Sequence, residues 1–597
     1  MEEMQGLRSP RNRSLPSVNE DFEGKRNAAF THEMHSIRKT ITNMDRRDFL
    51  KKSGWTVLGL AATGSVLGVT GCSGQEESGK YVKAVPAELK KMLEGLGEMK
   101  VWWGDIHNHC NVTYGHGDLN DAIAAAKEQL DFVSITPHAL WPDIPGKGDP
   151  RLEWVIEYHE SAFRRLRAGG WEPYVKALRE ANVDEKFLTF TSYECHSMEH
   201  GDHVALCYDY DTPLLECKSV PDLKRKLKKY KAFVTPHHMG YITGFRGYNW
   251  DAFKQDEQTP FVEMYSRHGL AENDQGDMDY LHDMGPRTWE GSVQYGLDKG
   301  HKFGLMCSTD QHAGYPGSYG DGRIGVVCDK LDKESLWNAM AARHVCGATG
   351  DKIKIDFRIN GAKMGDVTSG NTREIYVAVE AMNHIDYVDI IKNGQCLSRL
   401  SAPHTVVKPA EQTIRAKVKI DFGWNREEEY VHWQGRLRLS EGTLNGVQPC
   451  FRGAAFTSPQ PGEPEFRTRV NRILSTTDKS VELDLYSTKN PNTTTPATQG
   501  VVLDVTMPRT GKIIAEVNGQ KFAYTLNELL EGSKAHFMRG WLSEAVQFHR
   551  AATENTFAVG ELLTDNCPEK QTDYYYVRVR QRNGQWAWSS PIWVEKI

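Results

Sequence analysis

The chain has 597 residues, of which 39% are hydrophobic and 25% are charged, and its formal net charge is -6. This is the composition of a soluble globular protein, and the length indicates two or three domains. The negative net charge excludes a broad basic surface for nucleic acid but permits a local cationic pocket. The 11 cysteines contain no CxxC pair, so the sequence indicates neither a zinc ribbon nor a disulfide scaffold.

The N-terminal region predicts an export signal at residues 44–72. Two arginines, Arg46 and Arg47, precede an apolar stretch at 55–69 that is rich in Gly, Ala and Thr. This stretch is too short and too weakly hydrophobic for a transmembrane helix, and the order of charged, apolar and small residues is that of a secretory signal. We therefore expect export by the twin-arginine route to the periplasm or the cell surface.

A lipid anchor is predicted where this signal ends. The sequence at 69–72, Val-Thr-Gly-Cys, is similar to a lipoprotein cleavage box, so Cys72 would carry the lipid and provide the protein's membrane attachment. Simple cleavage nearby is the alternative. Residues 1–43 are polar and lack periodicity, which predicts either disorder or a start codon assigned too far upstream. Residues 73–98 are expected to form a tether and lead-in.

Residues 99–356 alternate short apolar runs with amphipathic helical patterns. The apolar runs include Phe132–Pro137 and Ala232–Pro236, and the helical patterns include Leu119–Gln129, Trp171–Glu180 and Val220–Lys229. This α/β alternation predicts a parallel sheet, either open or closed into a barrel. If it is a barrel, the functional residues belong at the carboxyl ends of its strands.

Residues 357–597 have a different pattern, in which alternating apolar and polar residues replace the helical periodicity. Examples are Arg415–Ile420 and Val501–Thr506, and clusters of Gly, Pro and Thr separate such segments. The pattern predicts an all-β, sandwich-like domain with one helix near Leu526–Phe548. Its expected role is to stabilise the preceding domain; shaping the mouth of the active site and binding a polymer are the alternatives.

Pairs of residues that commonly bind metals follow two of the apolar runs. His107 and His109 form one pair and Asp310 and His312 form the other, and residues two apart in a strand point to the same side. Imidazole and carboxylate together favour zinc, manganese or iron over calcium. The pairs therefore predict a multinuclear metal site. The candidate ligands are His107, His109, His116, His138, Glu194, His203, His237, Asp310 and His312.

Each candidate ligand also has a structural interpretation. A single histidine or glutamate of this set would otherwise be a loop residue or a buried, hydrogen-bonded side chain. Recurrence of same-face pairs at strand ends favours the ligand interpretation for most of them. His116 is the exception, because Gly115 and Gly117 flank it and predict an exposed turn equally well.

The motifs resemble, in order and spacing, those of the polymerase and histidinol phosphatase (PHP) superfamily, and most closely its carbaryl-hydrolase-like branch. The matching segments are Gly-Asp-Ile-His-Asn-His at 104–109, Thr-Pro-His at 136–138, Tyr-Glu at 193–194, Thr-Pro-His-His at 235–238 and Ser-Thr-Asp-Gln-His at 308–312. Gly-Ala-Thr-Gly at 347–350 and Tyr-Tyr-Tyr-Val-Arg-Val at 574–579 also look like that branch, so the resemblance covers most of the mature chain. It implies a distorted (β/α)7 barrel that binds two or three divalent ions of zinc, manganese or iron.

The resemblance also implies roles for individual residues. Those assigned to the more buried ions are His107, His109, Glu194 and Asp310. Those that would complete the cluster are His138, His203, His237 and His312.

Such a site predicts hydrolysis. Two divalent ions about 4 Å apart can share a hydroxide and bring the pKa of water close to neutrality. The hydroxide would attack phosphorus or a carbonyl carbon, and His238 or His268 would protonate the leaving group. Arg267, with Arg246 and Arg323 as further candidates, would hold an anionic substrate through paired hydrogen bonds.

Three functions are consistent with the sequence. The first is an exported hydrolase of phosphoesters or related esters, and the second is a carboxylic or carbamic ester or amide hydrolase of the carbaryl-hydrolase type. The third, from another class, is a non-catalytic surface-binding lipoprotein. The expected substrate is a small-molecule or oligomeric ester. No nucleic-acid partner is expected, and the oligomeric state is left open.

Overall fold

A computed structural model describes residues 87–597, with gaps at 147, 253–255, 283, 403–410, 456–465 and 491–495. The predicted signal at 44–72, the anchor at Cys72, the disorder at 1–43 and the first part of the tether lie outside the described residues. Within the described residues, no helix combines the length and the apolar character that a membrane crossing requires. All of them belong to one compact unit, and the domain boundary near residue 356 stays a prediction.

The described residues form nine α-helices. In chain order, α1 to α9 are Ala87–Glu98, Leu119–Lys127, Glu153–Arg165, Trp171–Ala181, Val220–Leu227, Val293–Asp298, Lys333–Ala341, Leu526–Glu531 and Glu554–Phe557. Three of the predicted helices therefore occur as α2, α4 and α5. Side-chain caps explain where two of them start, since Asp118 accepts a hydrogen bond from the second residue of α2 and Ser219 accepts one at the start of α5.

Short strands alternate with these helices up to residue 348 and then follow one another with few interruptions. Strands β1 to β12 are Val101–Asp105, Phe132–Val133, His138–Leu140, Leu188–Thr189, Thr191–Cys195, His203–Cys207, Ala232–Pro236, Phe261–Ser266, Gly269–Leu270, Gly304–Cys307, Arg323–Val327 and Val345–Ala348. Strands β13 to β33 are Lys354–Ile359, Ala362–Lys363, Val367–Ser369, Arg373–Glu380, Ile385–Lys392, Gln395–Leu400, Thr413–Gly423, Tyr430–Leu439, Thr443–Cys450, Arg472–Thr476, Ser480–Thr488, Gln499–Pro508, Lys512–Val517, Gln520–Thr525, Lys534–Phe537, Ala545–Phe548, Ala552–Thr553, Ala558–Asp565, Thr572–Gln581, Trp586–Ser589 and Ile592–Glu595.

The strands before residue 349 lie in three sheets, so the described residues do not form one closed, hydrogen-bonded barrel. β4, β2 and β1 are parallel neighbours, while β11 and β12 continue that sheet in antiparallel order. A second sheet has the order β3-β5-β6-β7 and a third has the order β10-β8-β9. The mixed α/β character of this region is confirmed.

The first sheet continues into the C-terminal part of the chain. β12 pairs with β32, and β31, β33, β15, β17 and β18 extend the sheet further. Buried side chains from both parts share hydrophobic cores; Met264 and Leu305, for example, belong to the same core as Tyr576 and Trp588. This shared core ties the strands that carry the candidate ligands to the C-terminal region.

The remaining C-terminal strands form antiparallel sheets, which confirms the β-rich character of this region. Two of them, β21-β24-β19-β28-β27 and β22-β23-β20-β25-β26, share one core that includes Val418, Trp433, Leu485 and Leu503. The predicted helix near Leu526–Phe548 is confined to α8. It starts at a capping box on Thr525 and stops before Gly532, and its predicted C-terminal part is instead strand β28, which pairs with β19.

Candidate metal centre

The candidate ligands gather at one edge of the strands that carry them. His107 and His109 follow β1, and Glu194 is the next-to-last residue of β5. His237 follows β7, and Asp310 follows β10. Because β6 runs antiparallel to β5, its first residue also lies at this edge. The side chains are buried, so any charge among them must be balanced within the protein.

Asp310 is one of two carboxylates around which the imidazoles lie. Its Oδ1 is 3.0 Å from Nε2 of His109 and 3.3 Å from Nε2 of His107, and its Oδ2 is 3.0 Å from Nε2 of His268. Asp310 adopts a left-handed backbone conformation with φ of 48°, which is uncommon for a residue with a side chain. A hydrogen bond of 2.8 Å from its backbone N–H to the carbonyl of His107 holds this conformation in place.

Glu194 is the second such carboxylate. Its Oε1 is 3.1 Å from Nε2 of His237 and 3.3 Å from Nδ1 of His196. Its Oε2 is 3.3 Å from Nε2 of His138 and 3.6 Å from Nε2 of His109. His109 therefore lies between the two carboxylates.

Hydrogen bonds at the other ring nitrogen orient these imidazoles. Nδ1 of His109 is 2.6 Å from the carbonyl oxygen of Thr136, so Nδ1 donates a proton there and Nε2, which faces the carboxylates, is the nitrogen through which His109 would bind a metal ion. Nδ1 of His107 is 2.9 Å from Oε2 of Glu263, a carboxylate–histidine contact of the kind that accompanies metal-binding histidines. Nδ1 of His312 lies 3.2 Å from the backbone carbonyl of Asp310.

Five overlapping groups of three or four side chains have ligand atoms within 4.8 Å of one another, and every member is buried. The groups are His109, His138 and His312; Glu194, Asp202, His237 and His238; His107, His237 and Asp310; His107, His109 and Glu194; and His138, Glu194 and His196. Seven of the nine predicted ligands are therefore brought together. His116 and His203 are outside these groups.

His116 is only 3% exposed, so the prediction of an exposed turn there is wrong. Its Nδ1 accepts a hydrogen bond of 3.1 Å from the backbone N–H of Phe466, which lies 350 residues further along the chain. That lone pair is consequently used, and a neutral ring in this position carries its proton on Nε2. This arrangement is unlike that of His109, whose Nε2 faces the two carboxylates.

His203 is also buried, and its Nδ1 lies 2.9 Å from the carbonyl oxygen of Gly201. Its ring packs 5.6 Å from that of Tyr248. Burial lowers the pKa of His203 to about 3, so the ring is neutral. The described contacts make it a neighbour of the clustered residues rather than a member.

The electrostatics of the cluster favour bound cations. Glu194, Asp202, Glu263 and Asp310 are between 0% and 3% exposed, and within the described part of the chain the one guanidinium that pairs with them is that of Arg246, on Asp202. Burial would raise the pKa of Glu194 and of Asp310, but the surrounding imidazoles hold both pKa values well below the usual range. Several buried carboxylates are thus ionised in one small volume, an arrangement that paired cations or metal ions stabilise.

Histidine protonation follows the same logic. Burial would lower the pKa of His107, but the carboxylates of Asp310, Glu263 and Glu194 raise it to about 10. Burial, together with the imidazole of His107, lowers the pKa of His237 to about 3. In the metal-free protein His107 is therefore the proton-bearing cation between two carboxylates, in a position where a metal ion would replace the proton.

Of the residues predicted to act on substrate, His238 belongs to one of the five groups, whereas His268 and Arg267 do not. Nε2 of His238 is 3.4 Å from Oδ2 of Asp202, and His268 contacts Asp310 as described. Arg267 lies 3.6 Å from Asp321, and its side chain is 20% exposed. Arg246 pairs with Asp202, with its Nε 2.9 Å from Oδ2.

Arg323 has a structural role that differs from the predicted one. It is fully buried and donates hydrogen bonds to the carbonyl of Gly317 and to the side chain of Gln129. Its guanidinium therefore fixes the loop that follows the Asp310 turn. It is not placed to hold a substrate.

Three clustered residues were not predicted from the sequence: His196, Asp202 and Glu263. His196 lies two residues after Glu194, so the same-face rule that selected His107 and His109 would have found it. Glu263 is a lone carboxylate inside the apolar strand β8, which is a recognisable signal because an unpaired carboxylate is seldom buried. Asp202 precedes β6 in a loop, and no local pattern marks it.

Comparison with known proteins places the chain near sequences that have no assigned activity. No family model matches it. It is similar to uncharacterised proteins of Chlamydia pneumoniae (25% identical over 314 residues), Chlamydia muridarum (22% over 312) and Chlamydia trachomatis (25% over 317), each alignment covering 45% of this chain and 49% of the relative. The chain thus spans about half the length of the curated relatives it matches.

Among solved structures, the chain is similar to the crystal structure of a two-domain protein from Bacteroides vulgatus that contains a predicted PHP-like metal-dependent phosphoesterase. The sequence identity is 12%, the TM-score is 0.28, and the match covers 72% of this chain and 95% of that chain.

Proposed function

We propose that this protein is a divalent-metal-dependent hydrolase that cleaves a phosphoester or a related ester. The observation that carries the proposal is the buried cluster around Glu194 and Asp310, in which Nε2 of His109 lies within 3.6 Å of both carboxylates. Structural ion pairs are seldom built from so many imidazoles and carboxylates that share partners. Imidazole and carboxylate ligands are those of catalytic zinc, manganese and iron sites.

The donor set fits two or three divalent ions. Nδ1 of both His237 and His238 is buried and lacks a hydrogen-bond partner among the described residues. Nε2 of His107 and Oε2 of Glu194 are also buried, and their ion-pair contacts of 3.3 Å lack hydrogen-bond geometry. Buried polar atoms without partners are rare in folded proteins, and a bound ion satisfies them. Ions held by these groups would lower the pKa of water and stabilise charge on the oxygen of a bound ester.

Residues beside the metal ions would protonate the leaving group and hold the substrate in position. His268 contacts Asp310 and is the histidine that we propose to protonate the leaving group, because a carboxylate partner keeps a proton on its Nε2. His238 would be oriented through Asp202, which Arg246 also binds. Arg267 is partly exposed beside the cluster and would hold an anionic part of the substrate.

We also propose that the three sheets of residues 99–356 together make up the distorted (β/α)7 barrel implied by the family resemblance, with its strand pairing interrupted between one sheet and the next. Phe190 alone separates β4 from β5, so the first and second sheets share one bent strand. The backbone N–H of Val234 in β7 donates to the carbonyl of Gln258, near the start of β8, at 2.6 Å. The backbone N–H of Asp310, after β10, donates to the carbonyl of His107, after β1. These bonds link the three sheets in the order that a barrel requires.

Export by the twin-arginine route, with a lipid on Cys72, is part of the same proposal and rests on the sequence at 44–72. This route carries folded proteins, which suits a chain whose metal ions must be bound before transport. The periplasm or the cell surface would then be the site of action. Expression of the full chain with Arg46→Lys/Arg47→Lys tests the route, because the variant is expected to remain in the cytoplasm.

Hydrolysis of carboxylic or carbamic esters or amides is the second candidate, favoured by the closer branch of the resemblance. A non-catalytic binding role is the third. The three functions are separated by rates on 4-nitrophenyl phosphate and 4-nitrophenyl acetate with zinc or manganese supplied. The variants are the double variant His107→Ala/Asp310→Ala and the control His344→Asn, which changes a half-exposed histidine that contacts Asp366.

Metal-dependent turnover of the phosphate ester that is lost in the double variant and retained in His344→Asn is the expected result. Turnover of the acetate ester alone would favour the second candidate. If neither ester were hydrolysed faster by the wild type than by the double variant, the hydrolase proposal would be refuted in favour of a binding role.

A further inference from the structure

Two thiols lie in contact beside the metal cluster without belonging to it. Sγ of Cys195 is 3.8 Å from Sγ of Cys217, and neither cysteine is in a disulfide. Cys195 is the last residue of β5 and is fully buried, whereas Cys217 is half-buried in the segment that leads into α5. Cys217 is therefore the more exposed cysteine of the pair.

We infer that Cys195 and Cys217 form a redox-active dithiol that a small-molecule disulfide converts into an intrachain disulfide. A disulfide bond measures about 2.05 Å, so the two sulfur atoms need to approach by less than the diameter of one atom. Neighbouring residues of the same core, including Val220 and Leu223 of α5, hold the two segments together. The pair is thus placed for bond formation by the packing of the fold.

The chemistry is thiol–disulfide exchange in two steps. The thiolate of Cys217 attacks one sulfur of the oxidant, forms a mixed disulfide and releases one thiol. The sulfur of Cys195 then attacks Cys217, which forms the intrachain bond and releases the second thiol. The two protein thiols lose two protons and two electrons, and the electrons reduce one disulfide to two thiols.

The disulfide would form next to the candidate metal site and would stabilise the folded chain. Glu194 and His196 flank Cys195 and both contribute to the groups that fit a metal ion. An intrachain disulfide would join the end of β5 to the segment before α5 and close a loop of 23 residues, counted inclusively from 195 to 217. Closing such a loop restrains the unfolded chain and raises the temperature of unfolding. This inference is independent of whether the protein is a hydrolase.

The test treats the purified full chain with oxidised glutathione, blocks the remaining thiols with an alkylating reagent, and maps disulfide-linked peptides by mass spectrometry. The variants are Cys195→Ser, Cys217→Ser and the control Cys396→Ser, which removes an exposed thiol elsewhere. In the wild type and in the control we expect one peptide pair linked through 195 and 217. In Cys195→Ser we expect a stable glutathione adduct on Cys217, and in Cys217→Ser we expect Cys195 to stay reduced.

The wild-type map alone decides the matter if a variant fails to fold. The inference is overturned if Cys195 and Cys217 remain alkylatable after the exposed thiols Cys396 and Cys567 have reacted with glutathione. It is also overturned if either cysteine links to a different residue, or if Cys217→Ser leaves Cys195 as readily oxidised as in the wild type.

Discussion

Replacing Glu263 by Gln should weaken metal binding without unfolding the protein. Oε2 of Glu263 accepts from Nδ1 of His107 at 2.9 Å and from Oγ of Ser308 at 2.5 Å, and Oε1 lies 3.4 Å from the backbone N–H of His238. Glutamine keeps an oxygen that can serve the first two donors, but it loses the negative charge. Its amide N–H₂ then faces the N–H of His238, where two donors meet.

The size of the effect follows from these contacts. Changing the hydrogen-bond partner of a metal-binding histidine costs about 10–100-fold in metal affinity. Because Gln preserves the acceptor oxygen, we expect the lower end, about tenfold or about 1.4 kcal/mol. Glu263→Ala deletes the acceptor for both His107 and Ser308 and should approach the upper end.

Competition with a chromophoric zinc chelator measures this change. The matched control is Asp366→Asn, which alters a histidine–carboxylate pair of 2.9 Å near the surface. We expect the control to bind metal as the wild type does. If Glu263→Gln and Glu263→Ala bound metal within twofold of the wild type while remaining folded, His107 would not be a ligand oriented by Glu263, and the reasoning would be refuted.

Three further predictions concern the proton, the leaving group and the C-terminal region. Because the pKa of His107 is raised to about 10 in the metal-free protein, metal binding at pH 8 should release about one proton from this histidine. The released proton is measured by calorimetry as a heat of binding that depends on the ionisation enthalpy of the buffer. Equal heats of binding in phosphate and Tris would contradict this prediction. His268→Gln should slow hydrolysis of phenyl phosphate by about a hundredfold or more. Hydrolysis of 4-nitrophenyl phosphate should slow far less, because nitrophenolate leaves without being protonated. Equal losses of rate on both substrates would exclude His268 as the general acid. A fragment of residues 80–356 should be insoluble, because it lacks the strands that pair with β12 and cover Met264 and Leu305. A soluble fragment that unfolds cooperatively would show that the C-terminal region is dispensable for folding of the N-terminal region.

Local sequence rules predicted those parts of the site that local geometry determines. His107 and His109 follow one strand, and Asp310 and His312 follow another, so a period of two residues was enough to select them. The α/β alternation and the β-rich C-terminal region were predicted for the same reason, since each depends on residues near one another in the chain. The extent of the helix after Thr525 was overestimated, because pairing of β28 with β19 outweighs local helical preference.

Contacts between distant segments were not predictable from these rules. The hydrogen bond from Phe466 to His116 joins residues 350 positions apart, and nothing near His116 indicates which of its nitrogens is occupied. Sharing of one sheet by β12 and β32 likewise depends on the packing of the whole chain. Glu263 and His196 carried usable signals, a lone carboxylate in an apolar strand and a second residue of a same-face pair.

The site's lining also includes the C-terminal region, which sequence patterns treated as a separate domain. The side chain of Gln311 donates to the carbonyl of Ala454 at 2.7 Å, and Thr468 donates to the carbonyl of Ala313 at 2.6 Å. Both contacts are made by the loop that carries Asp310 and His312. The C-terminal region therefore contributes to holding these two residues in position as well as to the shared core.

Elemental analysis of the purified full chain tests the central claim most directly, since every chemical step proposed for the cluster depends on bound divalent ions. We predict about two or three equivalents of zinc, manganese or iron per chain, and a loss of most of that metal in His107→Ala/Asp310→Ala. A wild-type protein that is folded and free of metal after growth in metal-supplemented medium would contradict the account. So would a double variant that retains the wild-type metal content.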